Sequence, residues 1–159
     1  MKKKAIIISI KSFKLSKNEK KLFINKKPWG LILFKRNIKS LNQIKNLIRN
    51  VRKITKDSKF PIMIDEEGKT VSRLSKIIKH NISQKLFGDI YKIKPRVSIT
   101  LYKNYINKLC TILNNIGINI NTVPVLDILR KHTNKIIGIR SYSEKKNIIK
   151  ELGKICIIQ

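Results

Sequence analysis

The sequence predicts an α/β fold in which parallel strands alternate with helices. Several short runs are apolar at every position, as is typical of strands that are buried on both faces. The longer stretches between them carry apolar residues at helical spacing. Because the two kinds of segment alternate along the chain, we expect β/α units around a parallel sheet. Periodicity does not decide whether these units form a small doubly wound sheet or half of an eightfold barrel.

Four segments are predicted to be strands. They comprise residues 5–10, 30–34, 60–64 and 118–126. The second and third are apolar throughout and the first is apolar except for Ser9, whereas the fourth alternates polar and apolar side chains and contains Pro124.

Four segments are predicted to be helices. The spacing indicates helices over 17–23, from an N-cap at Ser40 through Val51, over 102–116, and from Ser143 to about 158. Gly117 follows the third helix, where a helix C-cap is expected. The stretch from Ser75 to Ser98 is polar and irregular, and we expect a long loop with some helix.

Composition indicates one globular domain without a membrane span. The chain has 159 residues, 42% of them hydrophobic, and no run approaches the ~18 apolar residues that a span requires. The six-residue apolar run after the initial lysines is too short for a signal peptide. Both cysteines lie in apolar stretches, which favours buried thiols in a reducing cytoplasm. No Cys/His spacing resembles a zinc site, so we expect neither a metal nor another cofactor.

The net charge of +28 is distributed along the whole chain. Lysine, isoleucine and asparagine share A/T-rich codons and together supply 77 of the 159 residues, which favours a genomic bias. A selected nucleic-acid surface would combine arginine with stacking aromatics, yet only 7 residues are arginine and 6% are aromatic. We therefore expect no specific nucleic-acid partner, only nonspecific attraction to polyanions at low salt.

Acidic residues cluster where the third predicted strand ends. Asp65, Glu66 and Glu67 are consecutive in a chain with only 9 acidic residues, and Arg73 follows eight positions after Asp65. Such a carboxylate can accept hydrogen bonds from neighbouring sugar hydroxyls, and arginine offers a planar fork of donors. The alternative is an acidic turn that caps the next helix, with Arg73 as a solvated counter-charge.

Two later segments carry polar residues of a similar kind. Residues 119–128 alternate amide and hydroxyl side chains with apolar ones before Asp127, and Gly138 precedes Arg140. Taken alone, Asp127 is equally consistent with a supporting or capping role, and Arg140 with a surface arginine.

Taken together, four motifs resemble glycoside hydrolase family 3, and in particular its bacterial cytoplasmic β-N-acetylhexosaminidases (β-N-acetylglucosaminidases) of peptidoglycan recycling. The motifs occupy residues 30–37, 65–73, 124–127 and 138–142 in the family's order. The resemblance implies a TIM-type (β/α)8 barrel and retaining hydrolysis of terminal β-linked N-acetylglucosamine. It also implies that Asp65, Arg73 and Arg140 bind the sugar, which would be an amino-sugar or peptidoglycan-derived small molecule.

The chain departs from the family pattern in two motifs and in length. Lys69 and Thr70 stand where the family usually has glycine and arginine, and Ser9-Ile10-Lys11 lacks the usual acidic residue and glycine. We interpret residues 1–159 as a partial family 3 N-terminal barrel domain that ends before strand five. The family's histidine proton donor and aspartate nucleophile lie later, so no catalytic residue is assigned and we predict that this chain alone is inactive. The alternatives are a non-catalytic remnant that binds amino sugars and a basic nucleic-acid-binding protein.

Overall fold

The computed structural model describes residues 2–158. Two compact units are described separately: a strand unit (2–66, 73–79 and 113–122) and a helical unit (67–72, 80–112 and 123–158). Strands and helices alternate through most of the chain, as predicted. The strands are β1 (Lys4–Ile8), β2 (Pro28–Leu33), β3 (Ile62–Ile64) and β4 (Ile120–Asn121). The helices are α1 (Lys17–Lys26), α2 (Leu41–Thr55), α3 (Gln84–Ile93), α4 (Pro95–Ile116) and α5 (Lys146–Ile158).

The strand unit contains one parallel sheet in the order β1-β2-β3-β4. Leu31 on β2 lies opposite Ile62 on β3, and Ile64 lies opposite Asn121 on β4. Leu31, Leu33, Ile62 and Ile64 on the two central strands are fully buried, whereas Ile32 and Met63 are half-buried and Trp29 is exposed. Sequential strands are therefore neighbours, so polar residues that follow β3 and β4 meet at the same end of the sheet.

Specific caps define the helices of this unit. Ser16 and Glu19 form a capping box at the start of α1. The Ser40 hydroxyl accepts from the Gln43 N–H at the start of α2, which confirms the predicted N-cap. Gly117 ends α4 at φ 101°, and its N–H donates to the Leu113 carbonyl at 3.0 Å. The Arg52 guanidinium donates to the Gly117 carbonyl at 2.7 Å, which ties the end of α4 to α2.

Two strand predictions were wrong in detail. β1 ends at Ile8 and not at Ile10. Ile6 is 51% exposed, because within residues 2–158 β1 is an edge strand that pairs only with β2. β4 ends at Asn121 and does not continue to residue 126. Pro124 lies just beyond it and lacks the N–H that a continued ladder requires.

The helical unit packs around buried aromatic residues of α3, α4 and the segment before α5. Its core consists of Phe87, Tyr102, Ile106, Tyr142, Ile148, Ile149 and Leu152. The stretch from Ser75 to Ser98, expected as a long loop with some helix, contains all of α3 and the first turn of α4. Pro95 begins α4 because proline fits the first helical position, where the missing N–H costs nothing. No helix between residues 2 and 158 is long and apolar enough to cross a membrane.

Candidate functional site

Asp65 directly follows β3 and is held by contacts from two other segments of the strand unit. One carboxylate oxygen accepts from the Arg73 guanidinium at 2.9 Å, and the other accepts from the Thr122 hydroxyl at 2.7 Å. The carboxylate is still 20% exposed. Each carboxylate oxygen is thus fixed by a donor from a different segment of the unit. The arrangement is a fixed, partly exposed acceptor beside an arginine.

Glu66 points into the unit and is fully buried. One of its carboxylate oxygens accepts from the backbone N–H groups of Arg73, at 2.8 Å, and Leu74, at 2.9 Å. A buried carboxylate is strongly disfavoured without such donors, since burial removes its hydration. The contacts fold the chain after β3 back on itself and bring Arg73 to the strand end.

Asparagine side chains extend the sheet where the backbone ladder stops. The Asn121 amide accepts from the Glu66 N–H at 2.9 Å and donates to the Glu66 carbonyl at 3.0 Å. Asn119 accepts from the Ile62 N–H at 2.7 Å, at the other end of β3. These contacts explain the alternation of amide and apolar side chains along residues 118–121.

Arg73 also lies beside an aromatic ring. Its guanidinium carbon is 5.6 Å from the centre of the Phe34 ring, and that of Arg36 is 4.6 Å from the same ring. Phe34 directly follows β2, so three neighbouring strand ends contribute to this cluster. A carboxylate, a guanidinium, a hydroxyl and an aromatic ring are the groups that bind polar hydroxyls and the apolar faces of sugar rings.

Glu67 forms the second charged pair, in the helical unit. Its two carboxylate oxygens accept from the Arg140 Nε, at 2.7 Å, and from an Arg140 terminal nitrogen, at 2.8 Å. The Glu67 side chain is only 8% exposed and that of Arg140 22%. Such a bidentate pair fixes the plane of the guanidinium, because two parallel hydrogen bonds allow one orientation.

Backbone geometry on both sides supports this pair. The Glu67 N–H donates to the Val71 carbonyl at 2.9 Å, which closes the turn although Lys69 and Thr70 replace the family's glycine and arginine. Gly68 has a φ of 132°, and a Cβ there would collide with the Ile82 carbonyl. Gly138 has a φ of 40° before Arg140, in the left-handed region that glycine adopts readily.

The predicted site residues therefore occur in two pairs. Asp65 contacts Arg73 in the strand unit, whereas Arg140 contacts Glu67 in the helical unit. Their binding of a sugar stays a prediction. The sequence-based assignment gave no individual role to Glu66, Glu67, Asn121 or Thr122. The available signal was the run of three acids and the Asn-x-Asn-Thr spacing, but neither specifies a partner.

Comparison with known proteins identifies the family. Residues 2–158 match the sequence model of the glycosyl hydrolase family 3 N terminal domain. The beta-hexosaminidase of Haemophilus ducreyi is 33% identical over 141 residues, which is 88% of this chain and 40% of that protein. Beta-hexosaminidase A of Pseudoalteromonas piscicida is 30% identical over 129 residues, 78% of this chain and 21% of that protein.

Solved structures give the same fold. NagZ from Neisseria gonorrhoeae superposes with a TM-score of 0.89 at 24% identity, over 97% of this chain and 45% of that one. A second structure of that enzyme, in complex with N-trifluoroacetyl-D-glucosamine, gives a TM-score of 0.87. This chain thus spans less than half the length of these relatives. The chain belongs to glycosyl hydrolase family 3, of which it carries the N-terminal domain sequence.

Proposed function

We propose that this chain provides the sugar-binding part of a β-N-acetylhexosaminidase, with Asp65, Arg73 and Arg140 as the substrate-binding residues. The observation that carries the proposal is the Asp65 cluster at the strand end, where Arg73 and Thr122 fix a partly exposed carboxylate. Two comparisons support the same ligand class. The relatives are named beta-hexosaminidases, and one solved neighbour is in complex with N-trifluoroacetyl-D-glucosamine.

The chemistry of the two pairs suits a neutral, hydroxyl-rich ligand. Asp65 accepts from sugar hydroxyls, while the guanidinium groups of Arg73 and Arg140 donate to ring and hydroxyl oxygens. Because each arginine is already paired with a carboxylate, the net charge presented to the ligand is small. An amino sugar whose nitrogen is acetylated is uncharged and fits this balance.

Hydrolysis with retention needs a carboxylate nucleophile and a separate proton donor on either side of the bond. The three acids after β3 are committed to other contacts: Asp65 to Arg73, Glu66 to backbone N–H groups and Glu67 to Arg140. We therefore assign none of them as nucleophile and expect no turnover from residues 1–159 alone. The substrate of the complete enzyme is proposed to be a cytoplasmic, peptidoglycan-derived sugar with terminal β-linked N-acetylglucosamine.

Binding of N-acetylglucosamine to the 159-residue chain tests the proposal. Asp65→Asn should weaken binding in an NMR titration by ~10- to 100-fold, the equivalent of the 1.5–3 kcal/mol usual for hydrogen bonds to a charged group. Asp57→Asn is the matched control, because Asp57 pairs with Lys3 elsewhere in the strand unit. Equal binding by wild type and Asp65→Asn, or no binding by wild type, would contradict the assignment.

A second measurement addresses the reaction and the substrate. The chain should not release nitrophenol from a chromogenic N-acetyl-β-glucosaminide, and turnover that depends on Asp65 would disprove the proposed inactivity. A disaccharide of N-acetylglucosamine and N-acetylmuramic acid should bind at least as tightly as chitobiose if peptidoglycan fragments are the natural ligands. Clear preference for chitobiose would argue against that source.

A further inference from the structure

We propose that Glu66 is a positioning residue that acts on sugar binding through Arg73. The inference rests on the proposed function, in which Asp65 and Arg73 contact the ligand. Glu66 is fully buried, so its carboxylate is out of reach of a ligand at the strand end. Its influence must therefore pass through the groups that it holds.

The first step is the backbone of Arg73. A single carboxylate oxygen of Glu66 accepts from the N–H groups of Arg73 and Leu74, at 2.8 and 2.9 Å. Leu74 is itself fully buried, so this end of the loop is anchored. The position from which the Arg73 side chain extends is consequently set by Glu66.

The second step is the backbone of Glu66 itself. Asn121 on β4 accepts from its N–H and donates to its carbonyl, at 2.9 and 3.0 Å. These two contacts attach Glu66 to the sheet as a further pair of ladder hydrogen bonds would. The carboxylate therefore projects from a rigid base and not from a loose loop.

The third step joins these contacts to the binding group. Arg73 is held at its backbone by Glu66 and at its guanidinium by Asp65, and Asp65 and Glu66 are consecutive in the chain. Because the long arginine side chain is already ordered before the ligand arrives, binding does not include the entropy cost of ordering it. Loss of the Glu66 contacts should let Arg73 move away from Asp65 and weaken the ligand complex.

The chain offers a matched control in Glu19. Its carboxylate also accepts from two backbone N–H groups in the strand unit, those of Lys11 at 2.8 Å and Ser16 at 2.7 Å. Glu19→Leu therefore removes two hydrogen bonds from backbone N–H groups, as Glu66→Leu does, although Glu19 is less buried than Glu66. It has no link to Arg73, so any common effect of the two variants is structural.

The experiment is an N-acetylglucosamine titration of the 159-residue chain, at a temperature where circular dichroism shows each variant to be folded. Glu66→Leu should weaken binding at least tenfold, Glu66→Gln by no more than about threefold, and Glu19→Leu should leave it unchanged. Gln retains an oxygen that accepts from both N–H groups. In an Arg73→Ala background, Glu66→Leu should have no further effect. An undiminished effect there, or equal losses in the two leucine variants, would overturn the proposal.

Two additional measurements keep the outcome decisive. If Glu66→Leu does not fold, Asn121→Ala releases the backbone of Glu66 and should show the same dependence on Arg73. If wild type binds no sugar, the proposed function fails, but the Arg73 side-chain NMR signal still tests positioning. That signal should shift toward an exposed arginine in Glu66→Leu and stay in place in Glu19→Leu; no shift in Glu66→Leu would refute the inference.

Discussion

Buried polar side chains of the strand unit, such as Glu66 and Asn37, hydrogen-bond to backbone groups, whereas the helical unit buries polar side chains that bond to each other. Leu31, Leu33, Ile62 and Ile64 fill the sheet of the first unit without any exposed surface. The second unit buries a hydrogen bond between the hydroxyls of Tyr102 and Tyr142 and nearly buries the Glu67 carboxylate. Apolar packing depends on volume, but buried polar groups also require a correctly placed partner. The two units should therefore respond to different substitutions.

The largest effect is expected from the apolar core of the strand unit. Ile62→Ala should lower the free energy of unfolding by about 2–5 kcal/mol, because it leaves a cavity on a central strand. Ile6→Ala is the matched control on the exposed edge strand β1 and should cost less than about 1 kcal/mol, since the side chain is already half in water. Urea denaturation measures both values. Similar losses for the two variants would mean that β1 is buried in solution.

The helical unit should be sensitive to the charge of Glu67 rather than to its volume. Glu67→Gln keeps the size of the side chain but presents an amide N–H₂ to one of the Arg140 donors. We expect a loss of about 2–3 kcal/mol, below the 3–5 typical of fully buried pairs, because Arg140 can turn partly toward water. Thermal unfolding should show this loss, and Glu67→Gln in an Arg140→Gln background should show much less. Equal losses in both backgrounds would show that the ion pair is not the cause.

The Tyr102–Tyr142 pair distinguishes the loss of a hydrogen-bond partner from the loss of packing volume. Burial raises the pKa of both hydroxyls, so neither tyrosine ionises near neutral pH. Tyr102→Phe leaves the Tyr142 hydroxyl without this partner and should cost about 1–3 kcal/mol. The double variant with Tyr142→Phe should be at least as stable as either single variant, because both polar groups are removed together. Additive losses in a double-mutant cycle would contradict the importance of the pair.

The sequence predicted apolar packing better than polar pairing. The helical period identified the buried face of α2 and placed its N-cap, because both signals are local. Asp65 and Arg73, only eight positions apart, were both assigned to sugar binding. The Glu67–Arg140 and Tyr102–Tyr142 contacts join residues 73 and 40 positions apart, and residue type alone does not specify such partners. α3 was expected only as some helix within a long loop, because the stretch around it is polar and irregular and Pro95 suggested a loop instead of the start of α4.

The smallest effect concerns an exposed pair of the helical unit and depends on pH. The Lys92 ammonium lies 2.9 Å from the Glu144 carboxylate, and its hydrogen bond lowers the pKa of Glu144 from 4.5 to about 2. A carboxyl whose pKa is lowered on folding stabilises the protein above its unfolded pKa and loses that contribution as the pH falls. Because Glu144 is half exposed, solvent screening should limit the contribution to about 0.2–1 kcal/mol.

Glu144→Gln should therefore be slightly less stable than wild type at pH 6, and the difference should vanish between about pH 4.5 and pH 2. Comparing the two proteins at each pH cancels the growing repulsion among the many lysines, which acts on both. Glu151→Gln, an exposed change on α5, is the matched control and should show no such convergence. Urea denaturation at four pH values is sufficient to measure the trend. If the difference between wild type and Glu144→Gln stays constant down to pH 2, the ion pair with Lys92 does not form in solution, and the contrast between the units rests on their buried contacts alone.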